Sequence, residues 1–84
     1  MNEYMIVFSS FYKAAYAQEK LGEAGLRATL KKIPPDLMHS CGYALYMGEK
    51  SLKRAMDVLK QNNIDWRSVY YGEKGKEKTE YRQL

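Results

Sequence analysis

The sequence predicts a two-layer α+β fold with the element order βαββαβ. Short apolar runs containing β-branched and aromatic residues alternate with two stretches whose apolar residues recur every three or four positions. Glycine, proline and paired asparagines stand between them as punctuation. The chain has 84 residues, 45% hydrophobic and 29% charged, which suits one small domain built from a single pair of layers.

Residues 3–8, Glu-Tyr-Met-Ile-Val-Phe, read as the first strand. Ser9 or Ser10 can cap a following helix by accepting a bond from a free backbone N–H. Across residues 11–24, Ala14, Ala17, Leu21 and Ala24 fall on one helical face, small enough to lie close on a sheet. Gly25 supplies the left-handed residue that ends this helix. Residues 26–33 alternate Leu26, Ala28 and Leu30 with Arg27, Thr29 and Lys31, a second strand with one wetter face. Pro34 and Pro35 end it, because neither can donate to a ladder. After the connection 34–42, residues 43–47 form a third strand and Gly48 breaks it. A second helix over 49–62 aligns Leu52, Ala55, Met56 and Leu59 on one face, and Asn62-Asn63 stop it. Residues 64–71 read as a fourth, aromatic-rich strand. Residues 1–72 are thus expected to make the domain, and 73–84 a mobile, charged tail with little to bury.

Right-handed crossovers in a βαββαβ chain place a strand between each connected parallel pair. The expected result is a ferredoxin-like sandwich with antiparallel sheet order 4-1-3-2 and both helices on one face. The strands are apolar on both sides, with Tyr4, Ile6 and Phe8 opposing Met5 and Val7. The helix-free face would then be covered by a second copy of the chain, giving a homodimer, or else its tyrosines tolerate water.

Composition excludes several classes. No apolar run approaches the roughly 20 residues of a membrane span. The N-terminus shows no secretory signal pattern, so a cytoplasmic location is expected. One cysteine cannot form an intrachain disulfide, and one cysteine with one histidine cannot complete a structural zinc site. No cofactor or metal is implied. The net charge of +4 is spread along the chain rather than gathered in a block, which argues against nucleic acid. Trp66, Tyr70 and Tyr71 suit a sheet core better than an RNA platform, since the glycine-aromatic pattern of such platforms is missing. Lys50, Lys53, Arg54 and Lys60 suit the solvated face of the second helix, or an acidic partner. An acylphosphatase would need an arginine phosphate cradle in the first loop, which here reads Ser-Ser-Phe-Tyr.

Cys41 is the candidate reactive group. A lone cysteine is by default a small buried hydrophobe. This one sits at the end of a Pro-Pro loop between Ser40 and Gly42, small residues that leave a sulfur approachable. Gly42 also permits a turn that aims N–H groups at an anionic sulfur. His39, two residues earlier, would share a side with Cys41 in an extended segment and could stabilise a thiolate, or simply face solvent.

The segment Leu37-Met38-His39-Ser40-Cys41-Gly42-Tyr43-Ala44-Leu45, with Phe8-Ser9-Ser10 at the end of the first strand, resembles the selenium/sulfur carrier protein-like domain family. This is a small bacterial domain related to the C-terminal part of YedF-type selenium-metabolism proteins. Ala17-Gln18-Glu19-Lys20-Leu21 and Val69-Tyr70 fit as well, so the resemblance spans about residues 4–71. The proline loop departs from the family pattern, reading Lys32-Ile33-Pro34-Pro35-Asp36 where a basic residue is expected after the prolines. The resemblance implies a carrier rather than a catalyst. Cys41 would hold sulfur or selenium as a persulfide or selenopersulfide, with Gly42, His39 and Ser10 around it, and pass it between donor and acceptor proteins. The alternative is a ferredoxin-like binding or regulatory module in which Cys41 is structural. In the expected topology the loop that bears Cys41 emerges at the same end as Ser9-Ser10, beside the N-terminus of the first helix.

Overall fold

The computed structural model describes residues 3–33, 42–74 and 79–83, with the side chains of 74 and 79–81 excepted. The elements are β1 (Glu3–Phe8), α1 (Phe11–Glu23), β2 (Thr29–Lys32), β3 (Tyr43–Gly48), α2 (Leu52–Gln61), β4 (Ser68–Lys74) and β5 (Thr79–Gln83), with a 3-10 turn over Glu49–Ser51 leading into α2. The five strands form one open antiparallel sheet in the order β2-β3-β1-β4-β5.

The expectation of four strands therefore needs correcting: β5 is added beyond β4 to the run β4-β1-β3-β2. A fifth strand lies outside β4, formed by residues assigned to the charged tail. β4 itself extends to Lys74 and pairs Tyr70 with Gln83 through Lys74 with Thr79. β4 and β5 form an antiparallel pair. Its backbone groups pair with one another instead of with water, and Arg82 Nη2 donates to Glu73 Oε1 at 3.0 Å across the pair. Both side chains are exposed, so the ion pair adds little and the ladder sets the register.

The two helices end alike. After α1, Gly25 adopts φ 81°. Its N–H bonds the Gly22 carbonyl at 3.0 Å, and the Leu26 N–H bonds that of Leu21 at 2.9 Å. After α2, Asn63 adopts φ 55°, the one non-glycine residue with positive φ among those described. Its N–H bonds Lys60 at 3.2 Å, and the Ile64 N–H bonds Leu59 at 2.9 Å. Both are Schellman caps, which satisfy carbonyls the last turn would leave open. They also shorten the following strands. Leu26 belongs to the cap, and the Ala28 carbonyl accepts from Gln18 Nε2 at 2.9 Å, so β2 begins at Thr29 rather than 26. Ile64 is spent likewise, and β4 begins at Ser68 rather than 64.

Ile6, Phe8, Leu45, Met47 and Val69 face the helices and pack with Ala14, Ala17 and Leu21 of α1, Ala55 and Leu59 of α2, and Ile64. The alanines let the helices sit close, while the leucines fill the space between layers. On the helix-free face, Met5, Val7, Ala44 and Ile33 form a second buried cluster with Tyr46 and Tyr70 packed against it. Met5, Val7 and Ala44 are fully buried within one chain. The exposed apolar surface that motivated a homodimer is thus not present at the centre of this face. Among the described residues the exposed large hydrophobic side chains are Phe11, Tyr12 and Tyr16, all on α1. No described helix is long and apolar enough to cross a membrane.

Candidate functional site

Three chain segments meet at one end of the sheet. β1 ends there at Phe8, whose register partner is Tyr43 at the start of β3. Tyr43 in turn pairs with Lys32 at the end of β2. The Ile33 N–H bonds the Gly42 carbonyl at 3.0 Å, so residues 33 and 42 are held together one step beyond the ladder. α1 begins at the same end, three residues after Phe8, and Phe11 meets the Tyr43 ring edge-on at a centroid distance of 5.2 Å. The Arg67 N–H bonds the Val7 carbonyl at 2.7 Å, which brings the start of β4 to this end as well.

Ser10 is the N-cap of α1. Its backbone is extended, and its Oγ accepts from the Lys13 N–H at 3.2 Å. Capping uses one of the hydroxyl's two lone pairs and leaves the O–H free to donate elsewhere. The N–H groups of Phe11 and Tyr12 have no carbonyl within the helix to bond, and the helix dipole adds partial positive charge at this point. The first turn holds no acidic residue.

Of the residues singled out from the sequence, Ser10 and Gly42 are thus brought to one end of the sheet. Gly42 is buried and Ser10 half-buried. Cys41 and His39 lie outside the described residues. Lys13 on α1, Lys32 on β2 and Arg67 just before β4 are exposed at this end, on separate elements and without an ion pair to any other described residue. Sequence reading did not single them out for the site, because they belong to three different elements. The register Phe8–Tyr43–Lys32 was the signal that could have brought Lys32 to the site. The aromatic residues of the fourth strand go to separate places. Tyr71 meets Tyr4 at 5.0 Å between ring centroids, Tyr70 lies on the opposite face, and Trp66 packs on the main core before β4 starts. On α2, Arg54 Nη2 donates to the Ala24 carbonyl at 3.3 Å and ties that helix to the end of α1.

On the helix-free face, Lys31 Nζ stands 5.4 Å from the Tyr46 ring centroid. Burial, and then the nearby Glu3 carboxylate, push the Tyr46 phenol above its ordinary value.

An antiparallel sheet with two helices on one face, and with Ile33 and Gly42 bonded to each other at the end where α1 begins, defines a small α+β domain. Residues 3–71 match the family described as "Putative Se/S carrier protein-like". The chain belongs to that family. No curated protein and no solved structure matches it.

Proposed function

We propose that this protein carries sulfur or selenium on Cys41 and relays it between a donor and an acceptor protein. The carrying observation is that the family match spans the chain's one cysteine. A carrier needs a single accessible thiolate, and a second cysteine nearby would discharge the cargo as a disulfide.

The reaction balances without an external oxidant. The Cys41 thiolate attacks the terminal sulfur of a donor persulfide, R–S–SH. A new S–S bond forms to Cys41 as the donor's S–S bond breaks. R–S⁻ leaves with the electron pair, and the proton on the terminal sulfur travels with it. Selenium moves the same way from a donor R–S–SeH. The acceptor's thiolate then repeats the attack on the cargo.

The end of the sheet favours the anionic forms in that sequence. Gly42, bonded to Ile33, fixes one end of the loop beside α1. The α1 N-terminus supplies positive potential, the Ser10 O–H supplies a donor, and His39 supplies a cation or base. The frame is read as a ferredoxin-like domain over residues 1–72 with the hairpin strand β5 appended. The protein acts in the cytoplasm as a carrier rather than an enzyme, with no bound cofactor.

Intact mass spectrometry tests the reading. Incubation with a small-molecule persulfide should add one sulfur to the native chain and none to Cys41→Ser. Native protein that does not load, under conditions that load a known carrier, would leave the binding-module alternative with a structural cysteine.

A further inference from the structure

The two edges of the sheet differ in what they can accept. β2 and β5 end the strand order, so the outer backbone groups of each meet no other described strand. Such an edge is a template for another strand unless something guards it. β2 is four residues long and carries Lys31 and Lys32, both exposed, a common guard of natural edges. β5 reads Thr79-Glu80-Tyr81-Arg82-Gln83, with one acid and one base placed symmetrically about Tyr81.

That symmetry selects a partner strand. In an antiparallel pair, residues opposite one another are of one kind, either both bonded across the pair or both turned away from it. A two-fold axis relating two copies of one strand must therefore pass through a residue position rather than between two. An axis at Glu80 sets the two glutamates against each other, and one at Arg82 does the same to the arginines. An axis at Tyr81 sets Glu80 opposite Arg82 of the second copy, twice over, and uses the whole strand. Within one chain Glu80 is the register partner of Glu73, a like charge, and Arg82 Nη2 already donates to Glu73. A second copy brings another cation to the place where Glu73 and Glu80 stand opposite. β2 of a second copy fits less well, because it holds no acid to meet Arg82.

We propose that β5 pairs antiparallel with β5 of a second copy about a two-fold axis through Tyr81, joining two sheets edge to edge with the helices on the same side. The inference is independent of the carrier reading. The joined edge is the one farthest from β2 and β3, which flank the Ile33–Gly42 contact. Five residues make a small edge against the roughly 800 Å² per partner of a standard interface, so the association is weak and concentration-dependent.

Sedimentation of the full chain between about 10 µM and about 1 mM should show the mass rise from one chain toward two and stop there. Amides of residues 79–83 should gain protection from hydrogen exchange over the same range. Glu80→Arg and Arg82→Glu should each weaken association at least about tenfold, since each sets like charges opposite one another twice. An equimolar mixture of the two variants should associate as the native chain does, because every opposed pair is then of unlike charge. The double variant Glu80→Arg/Arg82→Glu should also associate, and it places an arginine opposite Glu73, so it serves where a single variant loses β5. Rescue by the mixture or by the double variant separates a contact between copies from damage within one chain. A native chain that stays monomeric at the top of the range would overturn the inference. So would single variants that associate like the native chain, or a mixture and a double variant that both stay monomeric. Growth beyond two chains would show β5 pairing with β2 instead, and would overturn it as well.

Discussion

The two faces of the sheet are buried by different means. One is roofed by α1 and α2, whose alanines and leucines interlock with Ile6, Phe8, Leu45, Met47 and Val69. The other carries neither α1 nor α2, yet Met5, Val7 and Ala44 are as fully buried, with Tyr46 and Tyr70 packed against the cluster. A tyrosine can cover apolar neighbours with its ring and keep its hydroxyl wet, so a face can be dry at its centre and polar at its rim. Burial at the centre of this face is therefore complete without α1 or α2.

The largest test of that comparison is a charge at the centre of the helix-free face. Met5→Glu should cost several kcal/mol, enough to unfold much of the protein, because the carboxylate would have to be buried without a partner. Chemical denaturation measures it. A loss under about 1 kcal/mol, within the range of ordinary surface changes, would show that this face opens to water. Next in size are paired truncations. Leu45→Ala under the helices and Met5→Ala on the other side should each cost about 2–5 kcal/mol, since both side chains are fully buried. A much smaller value for Met5 would mean that the tyrosine-covered cluster is loosely packed.

A smaller effect separates the faces by pH. The folded-state value of the Tyr46 phenol lies above its ordinary value near 10. Below that ordinary value both folded and unfolded chains keep the proton. Above it the unfolded chain loses the proton first, so stability should fall as the pH rises through the folded-state value. Tyr46→Phe should flatten that alkaline slope, as seen in thermal melts from pH 9 upward. A slope identical in the two proteins would place the titration elsewhere. The smallest expected change is at Ser10, where Ser10→Ala removes the cap on α1 and should cost about 1 kcal/mol.

How far each element was legible follows from how local its cause is. β1 was readable residue for residue, because a short apolar run beside two serines has few other uses. The α1 face through Ala14, Ala17 and Leu21 was equally plain. The starts of β2 and β4 were not, since Leu26 and Ile64 look like strand residues and are claimed by helix caps through hydrogen bonds that no periodicity records. β5 was missed because the pairing described for it is a backbone ladder and an exposed ion pair, while sequence patterns register apolar faces. The helix-free face misled in the opposite direction. Its residues were identified correctly as apolar, but their burial comes from tertiary packing, Tyr46 and Tyr70 included, that no strand pattern records. For the candidate site, the cap at Ser10 and the shared end of β1, β3 and α1 followed from element order. The place of Lys32 at that end needed the register.

The central place of β1 also sets a schedule. Val7 pairs with Ala44 on one side and with Ser68 on the other, so its second neighbour lies some sixty residues further along the chain. At a synthesis rate of about 5–20 residues per second, those residues take on the order of 3–12 s to be made. During that interval Met5-Ile6-Val7-Phe8 has left the ribosome without its full complement of partners. The strand that later sits driest in the sheet is thus the one most open to capture by a chaperone, or by another nascent chain, while the protein is being made.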